Sequence, residues 1–361
     1  MSSSVSCGLV GLPNVGKSTL FNALSNAGAL VANYPFATID PNVGIVEIAD
    51  ERLTTLAKIY DTQKIVPATL NITDIAGLVE GASHGEGLGN QFLSHIRGTQ
   101  AIVEIVRAFE DSSVIHVSDR LNPKKDIETI DTELVLADLE TISRRLEKTE
   151  KLAKGDPKLR ILVEQYIEAK NILDSGQPLW STKDNFKDLT DLQLLTLKPV
   201  IYLFNLDEKN LSNDSFQKSL AEIIKPTPAL FICAKLEAEL AGLSDTDKLE
   251  LLNSFGLHES GLTKLSKALY DLLGLQSFLT AGKKEVRAWT IPKGSTAPQA
   301  AGVIHGDFEK GFIAAEVVSY KDLIEYGSLI TARAAGKVRT EGKNYIVKND
   351  DVIEFRFNVT K

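Results

Sequence analysis

The chain has 361 residues, 43% of them hydrophobic and 24% charged, with a net charge of −8. That length suggests two or three domains with real cores, and the acidic balance argues against a generally basic nucleic-acid binder. No apolar run approaches a membrane span, the start Met1-Ser2-Ser3-Ser4 is no secretion signal, and Cys7 and Cys233 give neither a disulfide framework nor metal-site spacing.

In chain order, residues 5–10 read as an apolar strand and residues 18–27 as a helix. Between them stands Gly-Leu-Pro-Asn-Val-Gly-Lys-Ser, residues 11–18. Strand, glycine loop and helix together make a phosphate-binding loop. Gly11 and Gly16 let backbone N–H groups curl around an anionic oxygen. Lys17 reaches the β- and γ-phosphates, and Ser18 offers its hydroxyl to Mg²⁺. Asn14, Val15, Gly16 and Thr19 complete the expected phosphate contacts, helped by the positive end of the helix dipole. Strands are further expected at 43–48, 69–74 and 101–107, with a helix at 90–98, the alternation of a mainly parallel α/β sheet. Asp74-Ile75-Ala76-Gly77 closes the third strand: Asp74 would hold Mg²⁺ and the Gly77 N–H would sense the γ-phosphate. Residues 81–89, Gly-Ala-Ser-His-Gly-Glu-Gly-Leu-Gly, carry the glycine content of a switch segment. Upstream, Thr38 stands where a second Mg²⁺ oxygen is needed.

The pattern then becomes helical. Ile127, Ile130, Leu134, Ala137, Leu139, Ile142, Leu146 and Leu152 predict a helix over 126–153 with a charged opposite face, Gly155-Asp156-Pro157 breaks it, and 158–173 resumes as a second helix. A shorter helical return reaches about residue 197. Strands at 199–204 and 229–233 and helices at 215–224 and 262–273 then restore the α/β alternation, so the helical pair is an insertion. Beyond residue 275 the chain is strand-rich, with strands expected at 286–291, 312–318, 345–347 and 352–359. The expected domains are therefore a nucleotide-binding domain (1–125 and 198–275), an inserted helical hairpin arm (126–197) and a small α+β domain (276–361). Charge is uneven: residues 276–361 hold 13 Lys+Arg against 10 Asp+Glu, and residues 144–160 hold seven basic against three acidic. Local basic surfaces on an acidic body can steer an RNA partner, although mixed charge on a helix is also simply a solvated face.

Base recognition follows the strand at 199–204. A guanine-reading protein carries Asn-Lys-x-Asp there, the Asp accepting two hydrogen bonds from guanine. This chain has Asn205-Leu206-Asp207-Glu208, and adenine lacks those two donors, so the change favours ATP. Leu206 could pack on the ring, and Ala234, in Cys233-Ala234-Lys235, stands where such proteins contact the base.

At this point the chain resembles the YchF / Obg-like ATPase family over essentially its whole length. The resemblance rests on the phosphate loop, on Asn-Tyr-Pro-Phe-Ala-Thr-Ile-Asp-Pro-Asn (33–42), on the run from Asp74 to Gly89, on Lys-Glu-Val-Arg-Ala-Trp-Thr-Ile (284–291) and on the stretches 296–312 and 341–347. It implies an α/β P-loop domain with an inserted α-helical coiled-coil arm and a C-terminal TGS domain of β-grasp fold. It further implies Mg²⁺-dependent hydrolysis of ATP in preference to GTP, and binding to the ribosome, chiefly its large subunit. The family motif Asn-x-x-Glu is kept in Asn205 and Glu208. A cytoplasmic protein without membrane or DNA partners is expected.

One catalytic part is missing. Many switch NTPases place a water-orienting Gln directly after Asp-x-x-Gly; Leu78 stands here. The resemblance points to His116 as the replacement, with an ordinary surface imidazole as the alternative and His84 as a second candidate. Asn14 is also placed to help hold a monovalent cation, K⁺, near the phosphates. The competing readings are a nucleotide-gated RNA- or protein-binding module with incidental slow hydrolysis, and an ordinary GTPase, which needs the guanine-selecting Asp that is absent.

Overall fold

A computed structural model describes residues 5–27, 43–75, 88–110 and 121–358. The chain divides into two compact units, Val5–Ile45 with Asn71–Leu265, and Val46–Leu70 with Ser266–Lys361.

β1 (Ser6–Val10) leads through the glycine loop to α1 (Lys17–Ala27) in the first unit, and β2 (Val43–Ile48) and then α2 (Glu51–Tyr60), which belongs to the second unit, follow. After β3 (Ile65–Val66) come β4 (Ala68–Asp74), α3 (Leu88–Arg97) and β5 (Ala101–Ala108). The helices α4 (Pro123–Ala153) and α5 (Arg160–Asp174) precede β6 (Val200–Leu206), α6 (Asp214–Ile223), β7 (Ala229–Ile232), α7 (Ala234–Leu240), α8 (Asp245–Ser254) and α9 (Gly261–Leu272). The sheet order is β2-β4-β1-β5-β6-β7, and β4, β1, β5, β6 and β7 pair in parallel. Every residue of β5 and β6 is buried. A parallel strand covered on both faces reads as a continuous apolar run rather than an alternation, and Ala-Ile-Val-Glu-Ile-Val-Arg-Ala shows it. The carboxyl ends of β1, β4, β5, β6 and β7 share one edge of the sheet, where open α/β sheets bind ligands.

Among the described residues, only helices lie between β5 and β6. Asn122 caps α4 by accepting from the Lys125 N–H at 3.2 Å, with Pro123 in the first turn. Its 31 residues span about 46 Å at the usual helical rise. The short connection after Ala153 returns the chain along α4 as α5, and the two bury Val135, Ile142, Tyr166, Ala169 and Leu173 together with Leu179, Phe186 and Leu189. The expected helical return is instead a kinked run of 3-10 turns, Leu179–Leu192. Asp138 fastens α4 to the segment before β6: its buried carboxylate accepts from the N–H groups of Leu195 (2.8 Å) and Thr196 (2.7 Å) and from the Thr196 hydroxyl (2.7 Å). Burial pushes the Asp138 pKa up to about 6 even against these bonds.

The second unit holds β8 (Leu275–Ala281), β9 (Val286–Pro292), α10 (Ala297–Ile304), α11 (Gly306–Lys310), β10 (Phe312–Ser319), α12 (Tyr320–Tyr326), α13 (Leu329–Ala334), β11 (Arg339–Glu341) and β12 (Asp351–Phe357). Its sheet runs β11-β10-β12-β8-β9-β3, antiparallel except at β12–β8 and β3–β9. Ala297, Ala300 and Ala301 of α10 pack on Phe278, Ile291, Phe312, Ala315 and Val317. Residues 46–70 belong with this unit because β3 pairs with β9, Ile65 opposite Val286, and this differs from the boundary expected from sequence. The strand expected at 345–347 is a correction: only an isolated bridge, Thr296 to Ile346, forms there. The entry to α10 lies alongside it, with the Ala297 N–H bonded to the Tyr345 carbonyl and the Val347 N–H to the Ser295 carbonyl. Among the described residues no helix is long and apolar enough to cross a membrane.

Candidate nucleotide site

A cavity of about 1140 Å³ lies in the first unit, lined at one end by Leu12–Asn14 and Gly16–Thr19 and at the other by Asn205–Lys209 and Cys233–Lys235, with Phe109, Glu110, Ala238 and Glu239. Its volume is just above the usual range for a small-ligand pocket.

The phosphate end is backbone geometry. Gly16 has φ +93°, and a Cβ there would stand 2.2 Å from the Asn205 Nδ2, so position 16 tolerates only glycine. A Cβ on Gly11 would stand 2.8 Å from the Ile105 carbonyl oxygen of the neighbouring strand. Asn14 takes a left-handed φ of 64°, which Asn tolerates better than most residues. These turns deliver the chain to α1, whose first N–H groups have no partner within the helix and whose first turn holds no acidic residue to offset its positive end. Lys17, Ser18 and Thr19 sit in that turn and face the cavity.

Parallel pairing of β1 with β4 sets Leu9 opposite Asp74. The Lys17 ammonium therefore meets the Asp74 carboxylate at 2.9 Å, and it also donates to the Ile75 carbonyl. The basic and acidic members of the expected phosphate–Mg²⁺ site are thus brought together. Thr38, Gly77, Leu78, His84 and His116 lie outside the described residues.

The base end is made of side-chain bonds. Buried Asn205, opposite Ile232 in the β6–β7 register, donates through Nδ2 to the Val15 carbonyl at 2.9 Å. Its Oδ1 accepts from the Ala234 N–H, also at 2.9 Å. It clamps the glycine loop to the loop after β7. Asp207 caps the 3-10 turn Glu208–Asn210, accepting from the Asn210 N–H at 3.0 Å. The turn aims Glu208 at Lys235, and the two pair at 2.8 Å across the cavity end. Leu206 is 2% exposed, so its side chain is packed in the wall rather than projecting over a ring. Phe109 leaves β5 beside the cavity with the Arg107 guanidinium 4.5 Å from its ring centre.

Beneath this floor the sheet carries acids that the sequence reading passed over. Glu104 of β5 is buried, and neither carboxyl oxygen has a hydrogen-bond partner. Asp131 of α4 accepts from the Tyr202 hydroxyl of β6 at 3.3 Å. Burial, then the charges of Asp131 and Asp126, hold the Glu104 pKa well above the carboxylate range. Burial pushes Asp131 up to about 7, against the Tyr202 bond. The signal was there to find: a Glu, with Arg107 three residues on, inside a mostly apolar central strand. Cys7, in β1, is fully buried and pushed up to about 12 by that burial, which makes it a packing residue.

Residues 6–153 match the family described as a 50S ribosome-binding GTPase, and residues 275–358 match the YchF-GTPase C-terminal family, described as a protein of unknown function. The chain is 49% identical to the protein of Bacillus subtilis named "Ribosome-binding ATPase YchF", covering 99% of this chain and 100% of that one. It is also 49% identical to the protein of the same name from Escherichia coli O157:H7, over 98% and 99% of the two chains. Among solved structures, the Schizosaccharomyces pombe YchF GTPase superposes with a TM-score of 0.87 at 36% identity over 98% of each chain.

Proposed function

This chain belongs to the YchF family, and from that membership and the cavity's geometry we propose that it is a ribosome-binding ATPase, hydrolysing ATP to ADP and phosphate and preferring ATP to GTP. The ribosome and the ATPase activity come from the names of relatives that match it end to end. The preference for ATP rests on one observation at the base end: Glu208 is committed to Lys235, and Leu206 stands where a guanine reader has Lys. Adenine lacks the two donors that a guanine-selecting Asp accepts, so a site with Glu208 in that place gives up nothing toward ATP.

In this reading the glycine loop and the first turn of α1 cradle the β- and γ-phosphates through backbone N–H groups. The Lys17 ammonium exchanges Asp74 for phosphate oxygens, where the leaving group gains negative charge. Asn205 acts through the backbone, holding the loops after β1 and β7 in one arrangement. The donor set fits Mg²⁺, a hard cation that takes few protein oxygens beside phosphates: the Ser18 hydroxyl and the Asp74 carboxylate both adjoin Lys17, and Thr38 would add a third. Mg²⁺ there would neutralise phosphate charge. Water attacks in line, and with Leu78 in the usual Gln position His116 is the residue assigned to orient it. His116→Ala then lowers turnover and leaves ATP affinity nearly unchanged. Asn14 would face a K⁺ ion; equal rates in K⁺ and Na⁺ buffers remove that assignment.

The helices α4 and α5 act as the coiled-coil arm, and the mixed sheet of the second unit with α10 across it as the TGS, β-grasp domain. The partner is the ribosome, chiefly its large subunit, in the cytoplasm, with no DNA or membrane partner. Turnover measured with and without ribosomes tests the assignment: stimulation supports it, whereas a flat low rate and no co-sedimentation leave only a nucleotide-gated binding module.

A further inference from the structure

The helix α7 divides its residues between opposite faces. Ala234, Lys235, Ala238 and Glu239 line the nucleotide cavity, while Leu236, Glu237 and Leu240 are buried on the other side. Leu236 and Leu240 pack with Cys233 and Leu252 in an apolar cluster. Glu237, 3% exposed, is the acid among them. A buried carboxylate is costly unless its oxygens are bonded, and here the start of another helix supplies the bonds.

The first N–H groups of a helix have no partner inside it. In α9 side chains take them. The Ser260 hydroxyl accepts from the Thr263 N–H at 3.1 Å. The Glu237 carboxylate reaches across from α7 and accepts from the Gly261 N–H at 2.7 Å, with the Leu262 N–H 3.5 Å from its other oxygen. Its negative charge thus stands at the positive end of α9. The fit is close: a Cβ on Gly261 would stand 2.6 Å from the Ile232 side chain and 3.0 Å from the Glu237 carboxylate. Residues 232, 237 and 261 all lie in the first unit.

Polar bonds therefore hold α7 from both sides. Its first residue, Ala234, donates its N–H to Asn205, which also holds the glycine loop. One turn on, Glu237 seats the helix on α9. A helix of seven residues is too short to keep its form and place unaided.

We infer that Glu237 is a positioning residue for the nucleotide: by seating α7 on the N-terminus of α9, it fixes Ala234 and Lys235 at the base end of the cavity. This rests on the reading of the cavity as the ATP site. Glu237 itself lies outside the cavity, so its effect falls on binding of the base and not on the phosphate chemistry.

The experiment compares the full-length wild type with Glu237→Ala, Glu237→Gln, Gly261→Ala and the double variant Glu237→Ala/Gly261→Ala. Leu173→Ala, in the core shared by α4 and α5, serves as a control that lowers stability away from the cavity. Calorimetry gives the affinity for ATP and for magnesium tripolyphosphate, which has no base, and steady-state kinetics gives kcat and KM. In Glu237→Ala, ATP affinity falls about tenfold, the worth of one hydrogen bond to a charged group. KM rises by the same factor, kcat stays within about twofold of wild type, and tripolyphosphate affinity does not change. Glu237→Gln, whose amide oxygen still accepts from Gly261, recovers most of the loss. Gly261→Ala wedges the same contact from the other side and weakens ATP to a similar degree. The double variant is no weaker than the worse single one, because both changes break one link. Leu173→Ala lowers the urea midpoint and leaves ATP affinity at the wild-type value.

Wild-type ATP affinity in Glu237→Ala overturns the inference, whatever happens to stability. Equal losses for ATP and tripolyphosphate, additive losses in the double variant, or an equal loss in Leu173→Ala overturn it too, since the effect then does not pass through this contact to the base end. If Glu237→Ala does not fold, Gly261→Ala carries the same test with Glu237 in place. Wild-type protein that binds no ATP overturns the reading of the cavity itself, a separate failure.

Discussion

The two ends of the nucleotide cavity are built by different means. The phosphate end is backbone: a glycine at φ +93°, another pressed against a strand carbonyl, and a helix N-terminus. The base end is side chains bonding side chains and backbone across three loops: Asn205 between Val15 and Ala234, Asp207 on its turn, Glu208 on Lys235. Backbone geometry admits few substitutions and serves any nucleoside triphosphate. Side-chain bonds can be exchanged one at a time, so selectivity belongs at that end. Changes at the first should abolish function without choosing between nucleotides, and changes at the second should choose.

The largest effect is expected from Lys17→Ala. It removes the charge that meets the phosphates, and turnover should fall by about 10²–10³-fold, the usual cost of deleting one transition-state charge donor, for ATP and GTP alike. A steady-state assay with both nucleotides checks this; a loss confined to one of them breaks the comparison.

Asn205→Ala sharpens it, because Asn205 belongs to the base loop by sequence and to the phosphate loop by contact. Two buried hydrogen bonds vanish and leave the Val15 carbonyl and the Ala234 N–H without them, a loss of about 2–4 kcal/mol in a urea unfolding series. Affinity for both nucleotides should drop with their ratio nearly unchanged. By contrast, Leu206→Lys with Glu208→Asp should lower stability, because an ammonium replaces a side chain that is 2% exposed, yet in the folded protein it should move the GTP-to-ATP affinity ratio toward GTP by about tenfold, or 1.4 kcal/mol.

Much of the phosphate end was legible because its residue types are dictated by backbone conformation. Gly16 must be glycine, and strand, loop and helix are written in consecutive residues. The base end was legible only as residue types. Sequence placed Asn205 and Glu208 near a base, but which groups they bond depends on the β6–β7 register, which brings positions 205 and 234 together. The helix α2 escaped the sequence reading although Asp50 caps it and Leu53, Leu56 and Ala57 bury one face; its pattern is short, and β-branched Thr54 and Thr55 interrupt it. The strand β8 was passed over because it begins directly after Gly274, at φ 61°, with no polar spacer to announce it. In β5, burial on both faces erased the alternation that would have made Glu104 conspicuous.

That buried acid supplies the smallest expected effect, and a control that touches neither end of the cavity. Glu104 and Asp131 have folded pKa values raised by burial, so the folded state keeps protons that the unfolded chain has already released. Their contribution to stability is fully present below about pH 4 and is lost as pH rises through the folded values, about 7 for Asp131 and well above the carboxylate range for Glu104. Replacing Glu104 with Gln should flatten the fall in stability between pH 5 and 8 by up to about 1 kcal/mol per pH unit. Unfolding midpoints across that range read it directly, and a variant with the wild-type slope would show that Glu104 is ionised in the folded protein.

The central claim is that the base end selects adenine. Competition of ATP and GTP for the wild-type protein, each displacing the same fluorescent nucleotide in Mg²⁺ buffer, tests it most directly. The account predicts a clearly lower dissociation constant for ATP; equal affinities, or tighter binding of GTP, would contradict it.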